Sequence, residues 1–264
     1  GPDPNHECCG DRHVWNISIQ AQDLTERADV RNYRKDRGKF SSEYGVLSHA
    51  LPRTILDYTG ESRIDFCSEP CKAHDNFFNN HSTGGEPLTN WYLKVGFGEV
   101  PEDELTYLRQ SLAYQAMGYR EAISSFRIRK FDCAGSLFWM YSDCWGTLGW
   151  TIIDYYLRRK PSFYWVRKAY APVAVFARAE GDVVKTYVVN DTLSQVVGEL
   201  TLEVGDLSGQ GKSTSAHITV PANGVAEGPS MDFGAGYAFA RLQSGGVLVS
   251  DDLVLTRFPS ELNI

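Results

Sequence analysis

Two short segments of the chain each combine an apolar run with a carboxylate and a turn. In residues 39–45, Glu43 follows a short run and precedes a turn that ends in glycine. Residues 135–145 contain Trp139 and Asp143. Both patterns predict a buried strand with a carboxylate at its end. Sites at the carboxyl ends of strands are typical of (β/α)8 barrels, and carboxylates beside aromatic faces are typical of glycosidic bond hydrolysis. Glycosidase chemistry is therefore the first function that the sequence indicates.

Glu43 is the candidate nucleophile. Retaining hydrolysis uses two carboxyl groups about 5–5.5 Å apart, one to attack the anomeric carbon and one to protonate the leaving oxygen. The attacking group must stay ionised, which requires hydrogen-bond donors and partial solvation rather than apolar burial. Trp139 is the candidate platform under the sugar ring. The alternatives are a surface glutamate in a turn and a tryptophan of the barrel core.

Composition excludes several other classes of function. A net charge of -7 and a pI near 5.4 argue against a sequence-independent nucleic-acid binder, which needs a basic face. No apolar run approaches the roughly 20 residues that span a bilayer, and residues 1–4 are too polar to open a signal peptide. The six cysteines lack the paired spacing of a zinc ribbon, so neither a metal nor a cofactor is expected. The compartment stays open, with a slight preference for secretion, the periplasm or the lysosome over the cytoplasm.

The pattern of elements changes near Pro172. Before it, a helix is expected over 101–130, a strand over 133–141 and a helix over 162–170. The residues expected to form the buried face of the first helix recur at helical spacing: Leu105, Leu108, Leu112, Ala116, Tyr119, Ile123 and Phe126.

Beyond Pro172 the hydrophobic pattern has a period of two and is interrupted by glycine-rich turns. Strands are expected over 174–178, 183–189, 199–204, 216–220, 237–242 and 247–249. Short strands at this spacing predict an antiparallel sandwich of the immunoglobulin type. The chain is therefore expected to comprise an α/β domain over 1–171 and an all-β domain over 172–264.

Three motifs give the chain a resemblance to a known family. Residues 10–15 resemble its Gly-Asp-x-His-x-Trp segment, residues 40–45 its Ser-Glu-Phe/Tyr-Gly turn, and residues 135–156 its last barrel strand with the following loop. In this order they resemble the C-terminal part of a glycoside hydrolase family 2 enzyme, closest to the β-mannosidase branch. The resemblance implies a partial (β/α)8 TIM barrel, its last strands and helices, followed by an immunoglobulin-like sandwich.

The resemblance also implies roles for particular residues and a substrate class. It makes Glu43 the nucleophile of a retaining, exo-acting enzyme on a β-linked mannoside. The candidate substrate-binding residues are Trp139, Asp143, His13, Trp15 and Trp145. Asp143 either binds a sugar hydroxyl or holds a neighbouring loop, and Trp145 either binds the substrate or packs. His13 is the candidate partner of a sugar hydroxyl, and Trp15 is expected to form a wall of the pocket.

Two departures from the family pattern limit this interpretation. Met140 and Ser142 stand where the family usually has glutamine and asparagine, and the Asn-Glu pair that carries the acid/base glutamate is absent. A full barrel also needs about 250 residues, whereas some 170 precede the sandwich. The chain is therefore expected to need a missing N-terminal barrel segment or a partner chain. The alternative function is a non-catalytic carbohydrate-binding or scaffold fragment.

Overall fold

The computed structural model describes residues 6–7, 10–81, 85–262 and 264. The chain divides into two compact units, one formed by 1–126 with 131–167 and the other by 127–130 with 168–264. Cys8 and Cys9 lie outside the described residues. Within those residues, no helix combines the length and the apolar character needed to cross a membrane.

Helices make up most of the regular structure of the first unit. Its short strands are β1 (Arg12–His13) and β2 (Ser41–Glu43), with an irregular turn at Asn16–Gln20 and a 3-10 helix at Val30–Lys35. The helices are α1 (Leu24–Ala28), α2 (Pro52–Thr59), α3 (Glu69–Ala73), α4 (Phe77–Asn80), α5 (Leu88–Phe97), α6 (Glu104–Ile128) and α7 (Pro161–Ala169). The last residues of α6 and α7 belong to the second unit.

Helix α6 is the longest element, with 25 residues. It begins after Asp103, whose carboxylate accepts hydrogen bonds from the backbone N–H and the hydroxyl of Thr106, which satisfies donors that the first turn leaves unpaired. The expected buried face is confirmed except at Leu105, which is exposed because it lies in the first turn, beyond the core. The helix is shorter than the predicted range by three residues at its start and two at its end.

The predicted strand over 133–141 is wrong as a continuous element. Only Ser136 forms a bridge, in parallel with Ser41, although the flanking backbone still bonds to β2 through Ser41 N–H to Gly135 O and Leu137 N–H to Ser41 O. The pairing is interrupted because its register shifts after Leu137. A parallel arrangement of three neighbouring segments nevertheless results, with β2 between β1 and residues 135–139.

The second unit is a β-sandwich with two antiparallel sheets. Its strands are β3 (Val173–Glu180), β4 (Val183–Asn190), β5 (Val196–Gly205), β6 (Gly211–Val220), β7 (Gly224–Glu227), β8 (Met231–Asp232), β9 (Tyr237–Ser244) and β10 (Val247–Leu255), and helix α8 (Pro259–Leu262) follows. One sheet has the order β10-β9-β5-β6, and the other has β3-β4-β7 with β8 also on β4.

Apolar residues from both sheets form one core in this unit. Val175 and Val188 of one sheet pack in the same cluster as Leu200, Leu202 and Leu242 of the other. The period-two pattern therefore identified the sandwich, because each strand places alternate side chains on the inner face. It missed β7 and β8, whose four and two residues are too short to show an alternation.

Candidate active site

Strand β2 carries Glu43 between two parallel neighbours. On one side, Arg12 N–H donates to Phe40 O at 2.8 Å and Val14 N–H to Glu43 O at 2.7 Å. On the other side, Leu137 N–H donates to Ser41 O at 2.8 Å and Trp139 N–H to Tyr44 O at 2.7 Å.

These bonds show that β2 contains one extra residue relative to both neighbours. From Phe40 to Glu43 the β2 strand advances three residues while β1 advances two, and from Ser41 to Tyr44 it again advances three while the 137–139 segment advances two. An extra residue bends a strand and changes the direction of its side chains, and such bulges are frequent beside active sites. The irregularity lies at the candidate nucleophile.

Two side chains from the first segment contact the Glu43 carboxylate. Trp15 Nε1 donates a hydrogen bond to Glu43 Oε2 at 2.9 Å, and His13 Nδ1 lies 3.5 Å from the same oxygen. The Glu43 side chain is 29% exposed. Glu43 thus has a hydrogen-bond donor and partial exposure to solvent, the two features expected of the candidate nucleophile.

A second carboxylate lies on the far side of His13. Asp11 Oδ2 is 3.6 Å from His13 Nε2 and also accepts a hydrogen bond from the Ser42 hydroxyl. That hydrogen bond holds the pKa of Asp11 below its usual value. Asp11 is therefore a poor general acid, since a general acid must keep its proton near neutral pH.

Trp15 is buried and its indole is fixed by aromatic contact. Its ring meets the ring of Trp150 edge to face at 5.7 Å, and Trp150 in turn meets Phe78 at 5.8 Å. This packing holds the N–H of Trp15 on Glu43. Trp15 thus positions the carboxylate, a contact that its expected role as a pocket wall did not include.

Trp139 lies next to the Glu43 strand and its side chain is 43% exposed. Its backbone N–H donates to Tyr44 O, its carbonyl accepts a hydrogen bond from the Tyr119 hydroxyl at 2.7 Å, and its peptide bond to Met140 is cis. Glu43 and Trp139 therefore lie on neighbouring parallel segments. A half-exposed indole held by its own backbone is suited to stacking against a sugar ring.

Gly45 ends the turn after Glu43 at a point where no side chain fits. A Cβ atom at this position would lie 2.3 Å from Trp139 O and 2.8 Å from Trp150 Cδ1. The glycine of the 40–45 motif is thus required by close packing against the carbonyl of Trp139.

Asp143 is partly buried and is bonded to residues of the loop that follows it. Its Oδ2 accepts a hydrogen bond from the Thr151 hydroxyl at 2.8 Å, and its backbone N–H donates to Ile153 O at 3.2 Å. Burial raises the pKa of Asp143 to about 6, although the Lys160 charge and the Thr151 hydrogen bond act in the opposite direction. These contacts favour the loop-holding alternative for Asp143.

Lys160 is the buried cation of this region. It is fully buried, and Nζ lies 3.4 Å from Ser48 O and 3.5 Å from Gly149 O. Burial lowers the pKa of Lys160 to about 8, and the charges of Asp143 and Asp154 partly offset this change. At pH 7, below its pKa of about 8, Lys160 is therefore mostly a cation and faces the Asp143 carboxylate.

The pKa of Asp143 can be measured directly. We expect the Asp143 carboxyl carbon to titrate near pH 6 in carbon NMR of the protein with labelled aspartate, with its resonance assigned by its loss in Asp143→Asn. A midpoint below pH 4 would contradict the burial that raises it. Because the folded state binds this proton more tightly than the unfolded state, Asp143 lowers stability as pH rises from about 4 to 6.

Trp145 belongs to a different aromatic group. Its ring stacks on His74 at 4.5 Å with an angle of 7° between the planes, and His74 stacks on Tyr58 at 4.3 Å. Trp145 is 57% exposed. One face of the indole is thus used in packing, and a role in substrate binding stays a prediction.

Three residues that contribute to this arrangement were not among the predicted site residues. Trp150 packs against Trp15, Tyr119 donates a hydrogen bond to the Trp139 carbonyl, and Lys160 places a buried positive charge near Asp143 and Asp154. The helical period identified Tyr119 as buried, but it carries no information about its hydroxyl. Lys160 follows two arginines in a basic run that looks like a solvated surface.

The chain was compared with proteins of known sequence and structure. No family model matches it. It is 33% identical to "Beta-mannosidase B" of Aspergillus clavatus over 175 residues, which is 65% of this chain and 19% of that protein. A similar protein of Aspergillus niger is 32% identical over the same length. The chain therefore spans about a fifth of the length of the curated relatives it matches.

The fold agrees with this similarity. The crystal structure of a β-D-mannosidase from Dictyoglomus thermophilum has a TM-score of 0.83 and 25% identity, and the match covers 100% of this chain and 32% of that chain. An exo-chitosanase from Amycolatopsis orientalis shares the fold at a TM-score of 0.63 and 17% identity, over 91% of this chain and 30% of that chain. In sequence and in fold the chain is thus β-mannosidase-like, which confirms its resemblance to the β-mannosidase branch of glycoside hydrolase family 2.

Proposed function

We propose that the chain is part of a retaining glycoside hydrolase that acts on β-linked mannosides from the chain end, with Glu43 as nucleophile. In this proposal β1, β2 and the 135–139 segment are the last strands of a (β/α)8 barrel, and an immunoglobulin-like sandwich follows. The observation that carries it is the Glu43 carboxylate, which receives the Trp15 N–H at the end of the central parallel segment. Similarity to Beta-mannosidase B of Aspergillus supports the mannoside.

The chemistry assigned to Glu43 is direct attack on the anomeric carbon. One carboxylate oxygen forms a bond to that carbon while the bond to the leaving oxygen breaks, and water later cleaves the glycosyl ester. The Trp15 N–H holds the Glu43 carboxylate in one orientation, so the attacking oxygen is already positioned before the substrate binds. Trp139 is the platform beneath the sugar ring, and His13 is placed to contact both Glu43 and a sugar hydroxyl.

The second carboxyl group of the mechanism is assigned to polypeptide outside this chain. Among the described residues, Asp11 has a lowered pKa and Asp143 is bound to Thr151, so neither has both the proton and the freedom of an acid/base residue. The remaining barrel strands, in the same polypeptide or in a partner chain, would supply it. Asp143 is assigned to holding the loop of residues 143–154 and Trp145 to the rim of the site.

Covalent trapping tests the nucleophile separately from the acid/base group. In 2-deoxy-2-fluoro-β-mannosyl fluoride the leaving fluoride needs no protonation, and the fluorine at carbon 2 slows hydrolysis of the ester. The Glu43 oxygen displaces fluoride at the anomeric carbon, so we expect a stable adduct on the peptide that contains Glu43, detected by peptide mass spectrometry. The Glu43→Gln protein is the control and should stay unmodified.

Two results would contradict this assignment. Labelling of a different carboxylate, such as Asp11, would assign the nucleophile to that residue instead of Glu43. Equal labelling of the wild-type and Glu43→Gln proteins would show that the reaction is not at residue 43. The reagent is applied both to the 264-residue chain and to the complete polypeptide that carries it.

A non-catalytic carbohydrate-binding role is the second candidate. It is favoured by the half-exposed indole of Trp139 combined with the unsuitability of Asp11 and Asp143 as acid/base partners. Steady turnover of an aryl β-mannoside by the 264 residues alone would exclude it. Binding of a mannoside without turnover by the complete polypeptide would support it instead.

A further inference from the structure

Tyr119 of α6 connects the backbone of two segments at the candidate site. The residue is fully buried, and its hydroxyl lies within hydrogen-bond distance of two carbonyl oxygens, Trp139 O at 2.7 Å and Trp150 O. Its ring contacts Phe138 edge to face at 5.4 Å and Tyr44 at 6.4 Å. One side chain thus touches the residue after Glu43, the residue before Trp139, and both carbonyls.

The hydroxyl occupies a place where two acceptors converge. A tyrosine hydroxyl has a single proton, so it donates a hydrogen bond to one carbonyl at a time. The partial positive charge on that proton attracts both carbonyl oxygens. A buried carbonyl without a donor is costly, and Trp150 O also accepts the Met140 N–H at 3.5 Å, so we expect removal of the Tyr119 hydroxyl to act mainly on the Trp139 peptide. Gly45 closes the other side, since its Cα leaves no room for a Cβ beside Trp139 O.

We propose that Tyr119 is a positioning residue, which fixes the Trp139 indole relative to the Glu43 carboxylate through the Trp139 carbonyl. The assignment rests on the proposed function for its effect on turnover. The structural claim, that the Tyr119 hydroxyl sets the conformation at Trp139, does not depend on the proposed function. Tyr119 acts from behind the site and is not itself placed against the sugar.

The same helix offers a matched control. Tyr114 is also fully buried, and its hydroxyl donates to the backbone carbonyl of Ala28. Its ring contacts are with Tyr92 and Phe97. Tyr114→Phe therefore removes a buried hydroxyl from α6 without touching Trp139 or Trp150.

Fluorine NMR of the protein labelled with 5-fluorotryptophan measures the conformation directly. The Trp139 and Trp150 resonances are assigned by their loss in Trp139→Phe and Trp150→Phe. We expect Tyr119→Phe to shift or broaden the Trp139 resonance, with a smaller effect at Trp150, and Tyr114→Phe to leave both in place. An unchanged Trp139 resonance in Tyr119→Phe, or an equal change in Tyr114→Phe, would overturn the proposal.

Kinetics of the complete polypeptide then test the consequence for turnover. We expect Tyr119→Phe to lower kcat/KM for an aryl β-mannoside about tenfold, mainly through kcat, because a misplaced platform fails to follow the ring in the transition state. Tyr114→Phe should remain within twofold of wild type. A shifted Trp139 resonance with unchanged kcat and KM would overturn the functional part of the proposal. Absence of the glycosyl adduct on Glu43 would instead contradict the proposed function and leave the structural part of the Tyr119 proposal intact.

A second variant keeps the proposal testable if Tyr119→Phe does not fold. Tyr119→4-aminophenylalanine places an N–H donor where the hydroxyl was, so we expect its Trp139 resonance and its kcat to lie close to the wild-type values. Wild-type-like folding by circular dichroism combined with a Trp139 resonance clearly shifted from its wild-type position would count against the hydrogen bond.

Discussion

Replacing Glu43 with glutamine is expected to reduce turnover of an aryl β-mannoside by the complete polypeptide by at least about 10³-fold. A tenfold change in rate corresponds to about 1.4 kcal/mol, so this loss amounts to about 4 kcal/mol of transition-state stabilisation. The amide oxygen is neutral and does not form the glycosyl ester. It still accepts the Trp15 N–H, so the fold around it should be preserved.

The control for this variant is Glu69→Gln. Glu69 is an exposed glutamate in the first turn of α3 that pairs with Lys72, and its replacement should leave turnover unchanged. Retention of more than a tenth of the wild-type kcat by Glu43→Gln would exclude Glu43 as the nucleophile. Thermal unfolding of both variants, followed by circular dichroism, separates a chemical loss from a folding defect.

Many of the strands of the second unit can be predicted from the sequence because the hydrophobic pattern of a strand is a local property. A strand with one face in a core must alternate apolar and polar residues, and the run at 199–204 does so, while the run at 183–189 favours a strand through its valines, threonine and tyrosine. The segments observed at Val183–Asn190 and Val196–Gly205 contain these ranges. The order of the strands within the two sheets is set by contacts distant in sequence, and no local pattern contains it.

The candidate site was predictable only in part, for the opposite reason. The motif at 40–45 placed Glu43 at a strand end, but the extra residue of β2 is invisible in a short apolar run. The shift in register also explains why residues 133–141 lack the continuous pairing of a strand. Likewise, the stack of Trp145 on His74 joins residues 71 positions apart, which spacing along the chain does not reveal.

Replacing Gly45 with alanine is expected to destabilise the first unit by about 2–4 kcal/mol. The new methyl group would meet Trp139 O at 2.3 Å and Trp150 Cδ1 at 2.8 Å. Neither neighbour can move freely, because the carbonyl is bonded by Tyr119 and the Trp150 ring packs against Trp15. Since Glu43 is two residues away, the backbone shift that relieves the clash should also displace the carboxylate.

Urea unfolding followed by tryptophan fluorescence measures this effect in the right unit. All six tryptophans of the chain lie in the first unit, so the signal reports on its unfolding. Gly149→Ala is the matched control, because a Cβ there meets its nearest atoms at 3.6 Å, an ordinary contact. Equal stabilities for the two variants would show that the turn after Glu43 yields to an added methyl group. A lower stability for Gly45→Ala alone would show that close packing against the Trp139 carbonyl holds the turn after Glu43 in place.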